Sequence, residues 1–107
     1  VAVLTAVVER LEIQMEDTPP YQGKFTRAIV DVQLRRFYYD AAKVANVVTI
    51  GALAKLVPIS PIVFGTGYPY RSGAEYMRGL AANFGADDLK AIDRENALRI
   101  LPRLRTA

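Results

Sequence analysis

Histidine is absent from the 107 residues, and so is cysteine. Without cysteine there are no disulfides and no thiolate metal sites, which is neutral to favourable for a cytoplasmic address. Without histidine, no Ser-His or Cys-His nucleophile pair can be built. A zinc shell would have to come from carboxylates and backbone oxygens alone, which is poor zinc chemistry. No apolar run approaches the ~18 residues of a membrane span. The apolar opening, Val1 to Val8, has no basic residues before it and does not read as a signal peptide. Gly65-Thr66-Gly67-Tyr68-Pro69-Tyr70 fits neither the Walker pattern nor G-x-G-x-x-G, so no phosphate-cradling fingerprint is present. Repeats and low-complexity segments are missing too.

What is present is a short, apolar, mildly basic chain. Its length allows a single domain with a modest core. The hydrophobic share of 51% and the mean hydropathy of +0.11 are high for that length, which predicts that some apolar surface packs against something outside this sequence. The start at Val1 rather than Met suits a fragment or a processed product. The net charge is +3, and Arg99, Arg103 and Arg105 cluster near the end. A nucleic-acid surface is one reading of them. Cations complementing a helix C-terminus are the preferred reading, so nucleic acid is disfavoured as a partner.

Apolar residues at Leu4, Val7, Val8, Leu11 and Met15 form a helical stripe over Val1 to Met15. Asp17-Thr18-Pro19-Pro20 stops it. Lys24 to Leu34 is mixed and reads as a short helix or turn. Phe37, Tyr38 and Tyr39 read as a compact strand ending at Asp40. A helix follows over Asn46 to Val57, with Val47, Ile50, Leu53 and Val57 on one face. Ser72 is placed to cap a helix from Gly73 to Phe84, with Tyr76, Met77, Leu80 and Phe84 inward and Gly85 ending it. Asp87 and Asp88 open a last helix, whose stripe is Leu89, Ile92, Asn96 and Ile100. Asn96 is the odd polar member; a buried amide needs partners, and a structural role is expected.

The centre of the chain is Pro61 to Arg71, P-I-V-F-G-T-G-Y-P-Y-R. Ile62, Val63 and Phe64 read as a strand buried on both faces. The strand opens into Gly65-Thr66-Gly67 and feeds a helix. Strand, helix, strand at this spacing is a βαβ unit with parallel strands. Its loops lie on the carboxyl edge of the sheet, where α/β proteins bind ligands. Asp40 at the end of the first strand either faces that rim or caps the following backbone amides. Thr66, Tyr68, Tyr70 and Arg71 are candidates to line that edge, with Arg71 as counter-ion to an anionic ligand and the tyrosines as stacking walls. Alternatively, Tyr68 and Tyr70 pack between the last two helices.

I-V-F-G-T-G-Y-P-Y resembles the last barrel strand of the amidohydrolase-related metal-dependent hydrolases, in the branch that includes aminocarboxymuconate semialdehyde decarboxylase. R-R-F-Y-Y-D-A-A at Arg35 to Ala42 and E-N-A-L-R-I-L at Glu95 to Leu101 match in the same order and spacing. The resemblance implies an α/β fold, the closing part of a (β/α)8 TIM barrel, with two parallel strands and about four helices in residues 1–107 as a single partial domain. A whole barrel needs roughly 250 residues. The resemblance also implies a divalent metal, usually zinc, held by histidines and an aspartate, serving hydrolysis or nonoxidative decarboxylation. The histidines are absent here, and the family's metal-binding Asp falls on Gly67, which has no side chain to ligate with. By the same resemblance, Asn96 ties the last helix to the preceding strand.

The expectation is therefore a carboxyl-terminal fragment of a metal-dependent hydrolase or decarboxylase acting on a small aromatic or unsaturated carboxylic acid. By itself it would hold no metal and be catalytically incomplete. The alternative is a noncatalytic α/β module whose open strands pair with a second copy or a protein partner.

Overall fold

The computed structural model describes residues 7–8, 10, 13–24 and 26–106. The first expected helix, Val1 to Met15, lies partly outside the described residues; residues 7–8, 10 and 13–15 within it are helical. After a 3-10 turn at Pro19–Tyr21, helix α1 runs Arg27–Leu34. Strand β1 is Tyr39–Asp40, helix α2 is Val47–Leu56, and strand β2 is Ile62–Val63. Helix α3 spans Gly73–Ala81. The last helical stretch has three parts: α4 (Ala86–Lys90), a π-helical turn (Ala91–Glu95) and α5 (Asn96–Ile100). Pro102–Thr106 closes as an exposed 3-10 stretch.

Side-chain caps set the helix starts. Thr26 accepts from Ile29 N, Asn46 from Thr49 N at 2.9 Å, and Ser72 from Ala74 N, each satisfying an amide with no partner inside its helix. Thr26 resolves the mixed pattern after Lys24 into a helix. β1 and β2 pair in parallel, Tyr39 opposite Ile62 and Asp40 opposite Val63, with α2 as the crossover. Ile50, Leu53, Ile62, Leu80 and Ile92 are fully buried and form the core with Leu34, Tyr39, Ala41 and Val57. No helix among the described residues is long and apolar enough to cross a membrane.

Several local expectations give way. The first strand begins at Tyr39, because Phe37 N still bonds back to Leu34 O and closes the end of α1; Phe37 and Tyr38 are exposed. The second strand stops at Val63, since Phe64 N turns out of the ladder to Ile92 O at 3.0 Å. It is not buried on both faces: Ile62 is sealed but Val63 is only half-buried. Val47 is 72% exposed, because the first turn of α2 lies beyond the core that Ile50 and Leu53 enter. Met77 is exposed while Tyr76 and Leu80, four residues apart, face inward. Ile100, in the final turn of α5, is exposed as well. Helix α3 ends at Ala81 rather than Phe84. Gly85 does not end it, having extended backbone (φ −75°, ψ 174°) and sitting at the N-cap of α4.

Asn96 is fully buried. Its amide donates to Ile59 O at 2.9 Å and Ile62 O at 2.7 Å, and its oxygen accepts from Arg99, which also reaches Ser60 O at 2.7 Å. These bonds fasten α5 to the segment entering β2. The Cα radius of gyration is 16.0 Å, against about 13 Å for a compact domain of this length. The chain is thus drawn out relative to a domain closed on itself.

Two stability outcomes follow. Asn96→Ala leaves Ile62 O without its donor and removes the acceptor of Arg99, while Ile59 O keeps Ile62 N. It should cost about 2–3 kcal/mol, read as a lowered urea midpoint, whereas Asn83→Ala, which frees only Gly79 O, should cost about 1 kcal/mol. Tyr39 donates to Leu34 O at 2.6 Å, and burial raises its phenol above the ordinary 10.0. The unfolded chain releases this proton at a lower pH than the folded chain, so stability should fall as pH rises past 10.0. Tyr39→Phe should flatten that dependence in urea titrations on either side of this pH.

Candidate functional site

The carboxyl ends of β1 and β2 lie side by side, so Asp40 and Gly65 meet. The Asp40 carboxylate occupies the space above Gly65 where a Cβ would stand. Its Oδ1 accepts from Ala42 N at 2.8 Å, which turns the chain out of β1. Asp40 therefore both borders the rim and holds the turn.

Beyond Gly65, Thr66 Oγ1 accepts from Tyr68 N at 3.1 Å, and Gly67 O accepts from Tyr70 N at 3.1 Å. Gly67 has φ 68° and the Tyr68–Pro69 peptide is cis. The loop is thus tied by its own backbone and projects both tyrosines outward. Tyr68 and Tyr70 are 83% and 85% exposed, which overturns the idea that they pack between the last two helices. The short turn turns them to solvent, and Tyr76 and Leu80 take the inward positions of α3 instead.

A groove of about 350 Å³ runs beside this loop, lined by Lys43, Asn46, Tyr70, Arg71, Glu75 and Tyr76. It exists because α3 approaches the β1–α2 loop closely at Gly79, where any side chain would collide with Ala45 O. Arg71 and Glu75 face each other at 3.5 Å on the exposed side of α3. A pair this long and this exposed contributes little to stability, so the guanidinium can turn to a ligand. Of the expected rim residues, Tyr70 and Arg71 share this groove, while Asp40, Thr66, Gly67 and Tyr68 form the neighbouring rim.

Lys43 is the residue that sequence reasoning passes over. It holds an uncommon positive φ of 62°, and its Cε lies 3.8 Å from where a Cβ at Gly67 would stand. Gly67 is thus flanked by a lysine side chain. The only sequence signal was a Lys three residues past a strand-ending Asp.

Among the described residues, the side chains at this rim do not compose a metal shell. Histidine and cysteine are absent from the sequence, Gly67 offers no donor, and no group of three or more metal-ligating side chains comes together among the described residues.

The chain is 29% identical over 114 residues to a 6-methylsalicylic acid decarboxylase of Aspergillus aculeatus, an alignment spanning 97% of this chain and 34% of that protein. The similarity is to a decarboxylase, and it is distant. The chain covers about a third of that relative's length. No family model matches the chain, and no solved structure does.

The contact of Asp40 with Gly65 yields a coupled pair of outcomes. Gly65→Ala should destabilise the fold by about 1–3 kcal/mol through overpacking. Asp40→Ala combined with Gly65→Ala should recover at least about 1 kcal/mol of the summed single losses, measured by chemical denaturation of all four proteins.

Proposed function

We propose that this chain supplies the carboxyl-terminal βα units of an amidohydrolase-type decarboxylase barrel, and that its groove receives the carboxylate of a small aromatic acid. The observation that carries the reading is the groove itself. It sets two cations, Lys43 and Arg71, beside two tyrosines, Tyr70 and Tyr76, next to the carboxyl ends of two parallel strands, where barrel enzymes place substrate. Similarity along nearly the whole chain to a decarboxylase of an aromatic acid supports it.

In this reading Arg71 grips the carboxylate through its planar fork and Lys43 acts as a point charge, while Tyr70 offers a stacking face for the ring. Nonoxidative decarboxylation breaks the bond from ring carbon to carboxyl carbon. The electron pair stays on the ring carbon, carbon dioxide leaves, and a proton takes its place. Cations on the carboxylate bind and orient the acid; they do not supply that proton. The chain by itself is thus a binding part of a site completed by other barrel strands. A noncatalytic, self-assembling module is the second reading, favoured by Val47 and Val48 standing 72% and 76% exposed on α2.

Calorimetric titration with salicylate is the test. Salicylate should bind and the neutral salicylamide should not, and Lys43→Met and Arg71→Gln should each weaken salicylate about fivefold or more, consistent with charge-assisted hydrogen bonds. Equal binding of the amide, or variants without effect, would overturn the reading. A discrete oligomer in sedimentation, with no salicylate binding, would favour the second.

A further inference from the structure

At the opposite end of the strands lies a second groove, of about 300 Å³, lined by Arg35, Arg36, Tyr38, Ser60, Pro61 and Arg99. Its walls come from the end of α1, the approaches to β1 and β2, and α5. Three guanidinium groups line it, and no carboxylate does.

Among the described residues, the acids one helical turn before Arg35 and Arg99 pair with other cations. Asp31, one helical turn before Arg35, pairs with Arg27 at 2.9 Å. Glu95, one turn before Arg99, pairs with Lys90 at 3.1 Å. The negative end of α1 offers roughly half a charge at most, too little to offset three full charges. Arg36 spends one nitrogen on Gln33 Oε1, at a long 3.4 Å.

Arg99 is pre-positioned. Its Nη2 is fixed by Ser60 O and by the oxygen of buried Asn96, which is itself anchored to Ile59 O and Ile62 O. A guanidinium carries five donors, so the remaining nitrogens of Arg99 stay available on a rigid mount. Holding a donor in place before the ligand arrives lowers the ordering cost of binding.

We propose that this groove binds the dianionic phosphate group of a small phosphate ester. Three arginine forks, two adjacent at the end of α1 and one on α5, suit a tetrahedral oxyanion with several acceptor oxygens, and Tyr38 adds a phenol donor. The volume, at the lower end for ligand pockets, admits a phosphate with a small organic group. The site stands independently of the carboxylate groove at the other end of the strands.

The test is a titration of the whole chain with inorganic phosphate, followed by NMR of the arginine Nε–H signals. Arg35, Arg36 and Arg99 should shift saturably together, and the double variant Arg35→Gln/Arg36→Gln should weaken phosphate about tenfold or more. Both positions are exposed at the end of α1, so the fold survives the change. Arg78→Gln, on exposed α3, should leave the affinity unaltered. Equal weakening by Arg78→Gln, or shifts scattered over all arginines, would overturn the proposal. So would a thymidine oligonucleotide that binds this face without displacement by phosphate, which would make it a nucleic-acid surface.

Discussion

A buried amide on the last helix anchors the segment that carries the second strand. Asn96 sits fully enclosed on the last helix and spends both hydrogens on carbonyls more than thirty residues away, at Ile59 and Ile62. Those carbonyls precede and belong to β2, where a two-residue strand has too few ladder bonds to fix its own position. An apolar residue in place of Asn96 would bury the same area and leave Ile62 O unpaired, the costlier outcome in a low-dielectric interior. With β2 fixed, its register against β1 is fixed as well, and both ends of the strand pair acquire defined surroundings.

Those two ends have different characters, and the same scaffold produces both. At the carboxyl end, glycines matter because of what they let approach: Asp40 settles over Gly65, and Ala45 O reaches the backbone of α3 at Gly79. The groove between Lys43 and Arg71 is the space left once those contacts are made. At the amino end, Asn96 reaches through Arg99 to Ser60, and a guanidinium becomes part of the wall. One residue therefore links the strand register to the charge distribution beneath it.

Much of the local structure was legible beforehand. The break at Pro19-Pro20, the cap at Ser72, and the inward Ile50, Leu53, Tyr76 and Leu80 follow from rules that act within one helical turn. The failures share a cause. Val47, Met77 and Ile100 fit an apolar period but lie where no partner element reaches, and periodicity records the direction of a side chain without recording whether anything faces it. Phe37 and Tyr38 have strand-forming character, yet a turn closing α1 claims their backbone first. The candidate site was legible in its loop, from Thr66 to Arg71, because that loop is contiguous. Lys43 was hidden because its importance lies in nearness to Gly67 across the strand pair.

The sequence by itself determined the inventory: no imidazole or thiol, a βα pattern, a glycine-rich turn after the central strand, and an asparagine in an apolar stripe that had to find partners. Tertiary structure alone decided which partners Asn96 found, that Asp40 rests on Gly65, that Lys43 stands beside Gly67, and that Arg35, Arg36 and Arg99 line one groove. The physical reason is range. Caps, turns and periodicity depend on neighbours three or four residues apart, whereas each of these sites joins groups brought together only when the two strands pair and the last helix docks.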